Sequence, residues 1–355
     1  MSKERVVVAM SGGVDSSVAA AILKKKGYDV IGITMRFWNE ENRCCRTQDL
    51  EDAKHISHLL KIPHYTVSFD KPFKKQVVDY FVKEYCRGRT PNPCAVCNPV
   101  IKFGKLLEKT TELNARYLAT GHYAIISHHK ETERYILRRG KERGKDQSYF
   151  LARLPQNILN RILFPVGTYP KNKIRQLAER LNLPVAKKKE SQEVCFIPDG
   201  NLSNFIREFT GKSFEQGEII DQSGTVFGTH QGIIGYTIGQ RKGLGIATGK
   251  PVYVTKINPA NNTIIIGPDE NLYHKTFTAT GIHWFLPKEP RIPIQIKARI
   301  RYTHRPKSAQ ITPLGNNSVK VTFKKSQRAI TPGQLAVFYD HDIVVGSAWI
   351  DQVVD

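Results

Sequence analysis

The chain has 355 residues, room for two or three domains, and 40% of them are hydrophobic, enough for packed cores. Its 54 lysines and arginines outnumber 32 aspartates and glutamates, and the resulting formal charge of +22 favours a polyanionic partner such as nucleic acid over generic solubility. No apolar run approaches the roughly 20 residues that span a bilayer, and no lipidation signal or secretory leader is visible, so no membrane role and a cytoplasmic setting are expected.

Arg5–Met10 reads as a buried strand and Asp15–Lys26 as a helix ending near Gly27. Asp29–Met35 is the next strand, Asp49–Leu60 a helix, His64–Phe69 a strand and Phe73–Cys86 a helix. A further helix around Ile101–Leu113 leads to a fourth strand, Arg116–Ala124. This alternation predicts a parallel sheet with helices on both faces, an α/β Rossmann-like arrangement. Lys171–Leu181 and Leu202–Phe209 add two more helices. After about residue 210 glycines become frequent and strands follow one another. Pro251–Gly267 predicts a hairpin closed at Asn261–Asn262. Strands are expected at Ile294–Tyr302, Ala309–Thr312, Ser318–Lys324, Gln334–Tyr339 and Ile343–Ile350, in a small barrel or sandwich. The expected division is residues 1–210 for an α/β catalytic domain, 211–275 for a small β-rich central domain and 276–355 for a C-terminal β-barrel.

Between the first strand and first helix lies Ser11-Gly12-Gly13-Val14-Asp15-Ser16-Ser17. Two glycines let the backbone approach an anion, and the helix start offers unpaired N–H groups. No Gly-Lys-Ser/Thr ending follows, which excludes a Walker-type loop. The segment resembles the PP-loop of the ATP pyrophosphatase superfamily, also called adenine nucleotide alpha hydrolase-like. The resemblance implies that Ala9, Met10, Ser11, Gly12, Gly13, Val14, Asp15 and Ser16 bind ATP with Mg2+ to activate a carbonyl oxygen by adenylation. Nucleotides in such folds lie at the carboxyl ends of strands, so Met35 and Gly121 are candidate walls for adenosine.

Six cysteines, at 44, 45, 86, 94, 97 and 195, are too few for a disulfide scaffold of this length. Cys94 and Cys97 stand in a proline-fixed loop, Arg89-Thr90-Pro91-Asn92-Pro93-Cys94-Ala95-Val96-Cys97-Asn98, that leads into a helix. A helix N-terminus is expected to lower a thiol pKa. Cys195 follows Lys187-Lys188-Lys189, which could stabilise a thiolate or an RNA phosphate. Inert buried cysteines, a thiol–disulfide pair and a zinc site remain alternatives on the residues alone, and zinc lacks a fourth ligand.

With SGGVDSS, GRTPNP followed by CN, ATGHY, KDQSYFL, FPVG, CFI, GTHQG and GQRKGLG in order, the chain resembles the bacterial tRNA-specific 2-thiouridylase family nearly end to end. That resemblance implies ATP-dependent 2-thiolation of the wobble uridine (U34) of tRNA. Cys97 would be the nucleophile and Cys195 the persulfide carrier, the two forming a transient disulfide. It implies tRNA contacts at Asn92, Pro93, Cys94, His122, Lys145, Asp146, Gln147, Arg301, Tyr302 and Gln334. It also implies glutamate, lysine and glutamine tRNAs as substrates, and a sulfur-donor protein such as a cysteine desulfurase or sulfur relay protein. Where well-known members carry Asp, this chain has Cys94. Cys94, Cys97 and Cys195 could therefore hold three corners of a [4Fe-4S] cluster as an alternative to persulfide-only chemistry. A PP-loop amidation ligase and a tRNA-binding protein with a decayed site are the rival readings.

Overall fold

The computed structural model describes residues 3–37, 47–188, 194–197 and 200–354; Cys44, Cys45 and Lys189 lie outside the described residues. The chain forms two compact units, each assembled from separate stretches. One comprises Met1–Val77, Cys94–Pro198 and Asp342–Val344; the other comprises Val78–Pro93, Asp199–His341 and Val345–Asp355.

The first unit is built on a parallel sheet. Its strands are β1 (Arg5–Ala9), β2 (Asp29–Arg36), β3 (His64–Ser68), β4 (Tyr117–Ala119) and, after a hairpin of β5 (Ala124–His129) and β6 (Arg134–Arg139), the short β7 (Ile162–Leu163). The spatial order is β3-β2-β1-β4-β7. β1 carries three consecutive valines, Val6, Val7 and Val8, all fully buried. Alternate residues of a strand face opposite ways, so a continuous apolar run marks a strand covered on both sides. Val6 and Val8 join a cluster with Val14, Val18, Ala19, Ala20 and Leu23 of helix α1 (Val14–Lys25) and with Ile174 and Ala178 of the helix Lys171–Arg180. The alanines of α1 let that helix lie close to the sheet. Gly27, at φ +90°, ends it as its spacing predicts.

β1 pairs in parallel with β2 on one side and β4 on the other. The chain therefore winds outward in both directions from β1, which opens a crevice at the carboxyl ends of β1 and β4. Arg116–Ala124 is not one strand, as its sequence suggests. Only Tyr117–Ala119 joins the sheet, because the Thr120 hydroxyl accepts the His122 N–H at 3.3 Å and turns the chain. The chain then enters the β5–β6 hairpin, in register from Ala124↔Arg139 to His129↔Arg134. Sequence reading missed this hairpin, although IleIle and TyrIleLeu flank a polar turn at Lys130–Glu133.

In the second unit, β8 (Gly217–Ile220), β9 (Val226–His230), β10 (Tyr253–Asn258) and β11 (Thr263–Gly267) form a small sheet in the order β10-β11-β8-β9. Ile219, Val254, Ile257, Ile264 and Ile266 form its core. The expected hairpin is β10–β11, and Asn262 at φ +48° makes its turn. The remaining strands are β12 (Tyr273–Trp284), β13 (Ile294–Arg299), β14 (Lys307–Gly315), β15 (Ser318–Arg328), β16 (Leu335–Asp340) and β17 (Ile343–Val353). β12 pairs antiparallel with both β15 and β17, so the sheet β12-β15-β14-β13-β16-β17 closes on itself as a barrel. Closure removes the exposed edges that a sandwich would leave. β12 escaped sequence reading because its register with β17 shifts between Thr280 and His283, at Gly281 with φ +62°, which breaks the alternation of faces.

Candidate active site

The loop Ser11–Gly13 leaves β1 at the crevice and delivers α1 with Gly13 as its N-cap. Gly12 takes φ +66°, and a Cβ there would stand 2.2 Å from the Asp49 carbonyl oxygen. Only glycine satisfies both conditions. The hydroxyls of Ser16 and Ser17 donate to the Gly13 carbonyl at 3.2 and 2.8 Å, and the Ser11 N–H donates to the Ser16 hydroxyl at 3.2 Å. These bonds tie the turn to the first turn of α1. Gly121, just beyond β4, packs against the same helix end. A Cβ on it would lie 2.6 Å from the Ser16 nitrogen. Met35, at the end of β2, is half-buried. Ala9, Met10 and Val14 are buried beneath the loop.

Two lysines hold this loop in place, Lys171 with no role expected from sequence and Lys188 in a role other than the expected one. Lys171 is 7% exposed and donates to both Asp15 carboxylate oxygens at 2.8 and 2.7 Å, while the Tyr123 hydroxyl donates to the same carboxylate at 2.7 Å. Lys188 donates to the Gly12 carbonyl at 3.0 Å and to Asp49 and Asp52 at 2.6 and 2.5 Å. Burial would raise the Asp52 carboxyl, but the hydrogen bonds from Lys188 and Gln48 outweigh it and leave it lowered. Lys188 thus does not stand free beside Cys195 to stabilise a thiolate or a phosphate, as the lysine run suggested. A buried pair that loses one partner leaves a stranded charge. Lys171→Met should cost about 2–3 kcal/mol of unfolding free energy in urea, less than for fully buried pairs because Asp15 keeps 28% exposure. An unchanged urea midpoint would refute this role.

Cys94 and Cys97 lie on the helix Pro93–Cys97, with Cys94 exposed and Cys97 buried. Cys195 is exposed, and the adjacent Phe196 is buried against Phe73 with ring centroids 5.7 Å apart. None of the three thiols is in a disulfide, and Cys195 is close enough to raise the pKa of both Cys94 and Cys97 electrostatically. Burial pushes Cys97 up to about 12 and Cys94 up to about 11, with Lys102 opposing and Cys195 adding to both. Cys94 adds a further repulsion to Cys97, whose rise is the larger one. The expected lowering at a helix N-terminus is overturned, because loss of solvent outweighs the field of a five-residue helix.

Lys102 was also missed. It lies five residues after Cys97 in a π-helical stretch, Asn98–Lys105, whose i→i+5 bonding brings that spacing toward one face. Alkylation of Cys97 by iodoacetamide should therefore accelerate about tenfold per pH unit from 7 to 11 without levelling. A plateau near pH 8.5, read site by site in peptide masses, would contradict the burial argument. Among the described residues, no three His, Cys, Asp or Glu side chains stand in an arrangement that would hold a metal ion.

The residues expected to meet RNA fall into two groups. In the first unit, His122 bonds through Nδ1 to the Thr120 hydroxyl at 2.7 Å and packs beside Phe103 and Phe164. Burial and the Lys102 charge hold its pKa well below 6.5, so it is a neutral hydrogen-bonding group rather than a cation. Gln147 accepts from the Tyr123 N–H at 2.9 Å, and Lys145 beside it is half-buried. Asp146 does not fit a contact role. It is fully buried and accepts from Arg139 at 3.0 Å and from the N–H groups of Gly140 and Ser148 at 3.1 Å each. Its place is beneath the Lys145–Gln147 turn, which it fixes.

In the second unit, Asn92 is buried. The Gln334 amide donates to the carbonyls of Thr90 and Pro91 at 3.0 and 3.2 Å, holding the turn that leads to Asn92 and Pro93. Arg301 donates to the Arg328 carbonyl at 2.8 Å, and the Arg299 guanidinium lies over the Tyr302 ring at 5.2 Å. Both Arg301 and Tyr302 remain partly exposed.

Residues 4–199 match the family model described as tRNA methyl transferase HUP domain, residues 203–268 the tRNA methyl transferase PRC-barrel domain, and residues 274–350 the Aminomethyltransferase beta-barrel domain. The chain is 47% identical over 358 residues to a protein of Caldanaerobacter subterraneus subsp. tengcongensis named tRNA-specific 2-thiouridylase MnmA 1, covering 99% of this chain and 98% of that one. It is 46% identical over 361 residues to the tRNA-specific 2-thiouridylase MnmA of Clostridium perfringens, covering 100% of each. Among the described residues, no helix is long and apolar enough to cross a membrane.

Proposed function

The chain belongs to the tRNA-specific 2-thiouridylase family and is a tRNA sulfurtransferase, and we propose that it replaces the C2 oxygen of the wobble uridine with sulfur by adenylation followed by persulfide transfer. One observation carries this reading: three thiols, none of them in a disulfide and with Cys195 acting electrostatically on Cys94 and Cys97, occupy the same compact unit as the glycine-lined loop Ser11–Gly13.

ATP, as its magnesium complex, supplies the adenylyl group that makes the uridine O2 a leaving group. Ser11, Gly12, Gly13 and Ser16 would cradle its phosphates, because the turn's glycines and the start of α1 present backbone toward an anion. Met35 and Gly121 would flank the adenosine. The uridine O2 attacks the α-phosphorus and pyrophosphate leaves. Cys195 carries the transferable sulfur as a persulfide. The Cys97 sulfur attacks the Cys195 sulfur, the persulfide S–S bond breaks, and hydrosulfide departs as a Cys97–Cys195 disulfide forms. Hydrosulfide adds to C2, and AMP leaves with the former O2. A thiol reductant then reopens the disulfide.

Cys97 must lose its proton for this step, and burial opposes that loss. Lys102 is the cation that favours the thiolate. We assign Asn92, Pro93 and Cys94 to the target base, and His122, Lys145, Gln147, Arg301 and Tyr302 to the surrounding tRNA. Gln334 and Asp146 shape two of these segments from behind. The expected substrates are glutamate, lysine and glutamine tRNAs, and the expected sulfur source is a cysteine desulfurase or relay protein in the cytoplasm. No step is routed through an iron–sulfur cluster, since the described residues present no metal-holding trio.

Nucleoside mass spectrometry after incubation with unmodified tRNA, ATP and a persulfide donor, with and without oxygen, tests the reading. The expected product is 2-thiouridine from iron-free protein in both atmospheres. An amidated nucleoside or no product would overturn it. Activity confined to anaerobically purified protein that contains iron and acid-labile sulfide would replace the persulfide route with a cluster.

A further inference from the structure

We infer that Lys188 is a positioning residue that ties the Cys195 segment to the phosphate loop, so that sulfur is presented where the activated base is made. This rests on the reading that Cys195 hands its sulfur to Cys97.

Lys188 lies seven residues before Cys195. Its ammonium makes three bonds, one to the Gly12 carbonyl within the loop and two to Asp49 and Asp52 of helix α2 (Thr47–Leu59). The same α2 backbone presses on Gly12, since the space a Cβ would need there is filled by Asp49. Loop, helix and lysine therefore form one contact. On the other side, Arg175 donates to the carbonyls of Ala186 and Lys188 at 2.8 and 3.4 Å, so the backbone reaches the loop in a fixed orientation. Beyond Cys195 the chain is anchored again, by buried Phe196 and Ile197. Cys195 itself stays exposed between these two anchors. Seven residues span at most about 25 Å, so the Lys188 anchor limits where the Cys195 sulfur can travel. Restricting a reactive group near its partner raises its effective concentration.

Two carboxylates and the Gly12 carbonyl engage Lys188. Its loss should slow the encounter of the two thiols, which is read without nucleotide, and leave the chemical reactivity of exposed Cys195 unchanged. The experiment oxidises the full-length protein with diamide, which accepts the two electrons and two protons released as the Cys97–Cys195 bond forms. Peptide masses identify the bridge, and alkylation of Cys195 by iodoacetamide is followed on parallel samples of the reduced protein.

Wild type should form the Cys97–Cys195 disulfide. Lys188→Met and Asp52→Asn should each slow it, the former about tenfold, with the rate of Cys195 alkylation by iodoacetamide as in wild type. The double variant should be no slower than Lys188→Met, because both remove one interaction. Equal disulfide rates in Lys188→Met and wild type, or a fall in Cys195 alkylation that matches the loss of disulfide rate, would overturn the tether. Failure of the wild-type protein to form this disulfide at all would instead sink the sulfur-transfer reading on which it rests.

Discussion

Cys97→Ser and Cys195→Ser should each reduce tRNA thiolation at least about 10³-fold, while ATP-dependent pyrophosphate release in the presence of tRNA persists within roughly threefold. The separation follows from the proposed order of events. Adenylation uses the loop Ser11–Ser16 and no thiol, whereas sulfur delivery needs both cysteines. Serine preserves size and polarity but cannot form the persulfide or the disulfide, so the fold should be undisturbed. Cys94→Ser separates the thiols further, because Cys94 is exposed and Cys97 buried. Serine keeps a small polar group against the target base, so Cys94→Ser should retain most of the activity. Retention of full thiolation by Cys97→Ser or Cys195→Ser would remove the named residue from the chemistry. Loss of pyrophosphate release in both would show that they serve adenylation instead.

Gly121→Ala should raise the ATP Kd at least about 100-fold, equivalent to roughly 2.7 kcal/mol. The new methyl would sit 2.6 Å from the Ser16 nitrogen and 2.7 Å from the Asp15 carbonyl carbon, both backbone atoms at the start of α1. Neither can swing aside as a side chain would. Relief requires either β4 and its turn or the start of α1 to move, and both line the crevice proposed for the nucleotide. Calorimetric titration with ATP reads this directly. A Kd within twofold of wild type would place the nucleotide elsewhere.

Much of this molecule is legible in its order of residues. Val6-Val7-Val8 reads as a strand buried on both faces, and the glycine pair after it as a tight approach to an anion or to another backbone. The turn at Asn261–Asn262 and the helix stop at Gly27 follow from local backbone preference. Local signals also had limits. The strand proposed across Arg116–Ala124 fails because a single Thr120 hydroxyl competes for the His122 N–H, and β12 hides behind a bulge at Gly281.

By itself, the sequence determined the parallel α/β unit, the strand-rich remainder, the glycine turn between the first strand and helix and the positions of the thiols, since each rests on short-range periodicity, φ preference or side-chain chemistry. Only the tertiary structure decided how those groups are tuned. Burial, a property of surrounding mass and not of neighbours in sequence, turned the expected low-pKa thiol at Cys97 into one near 12. Contacts between residues far apart in the chain made Asp146 a buried support, gave Asp15 its partner in Lys171, and bound Lys188 to Gly12. Such pairings depend on which surfaces the fold brings together, and no local pattern encodes them.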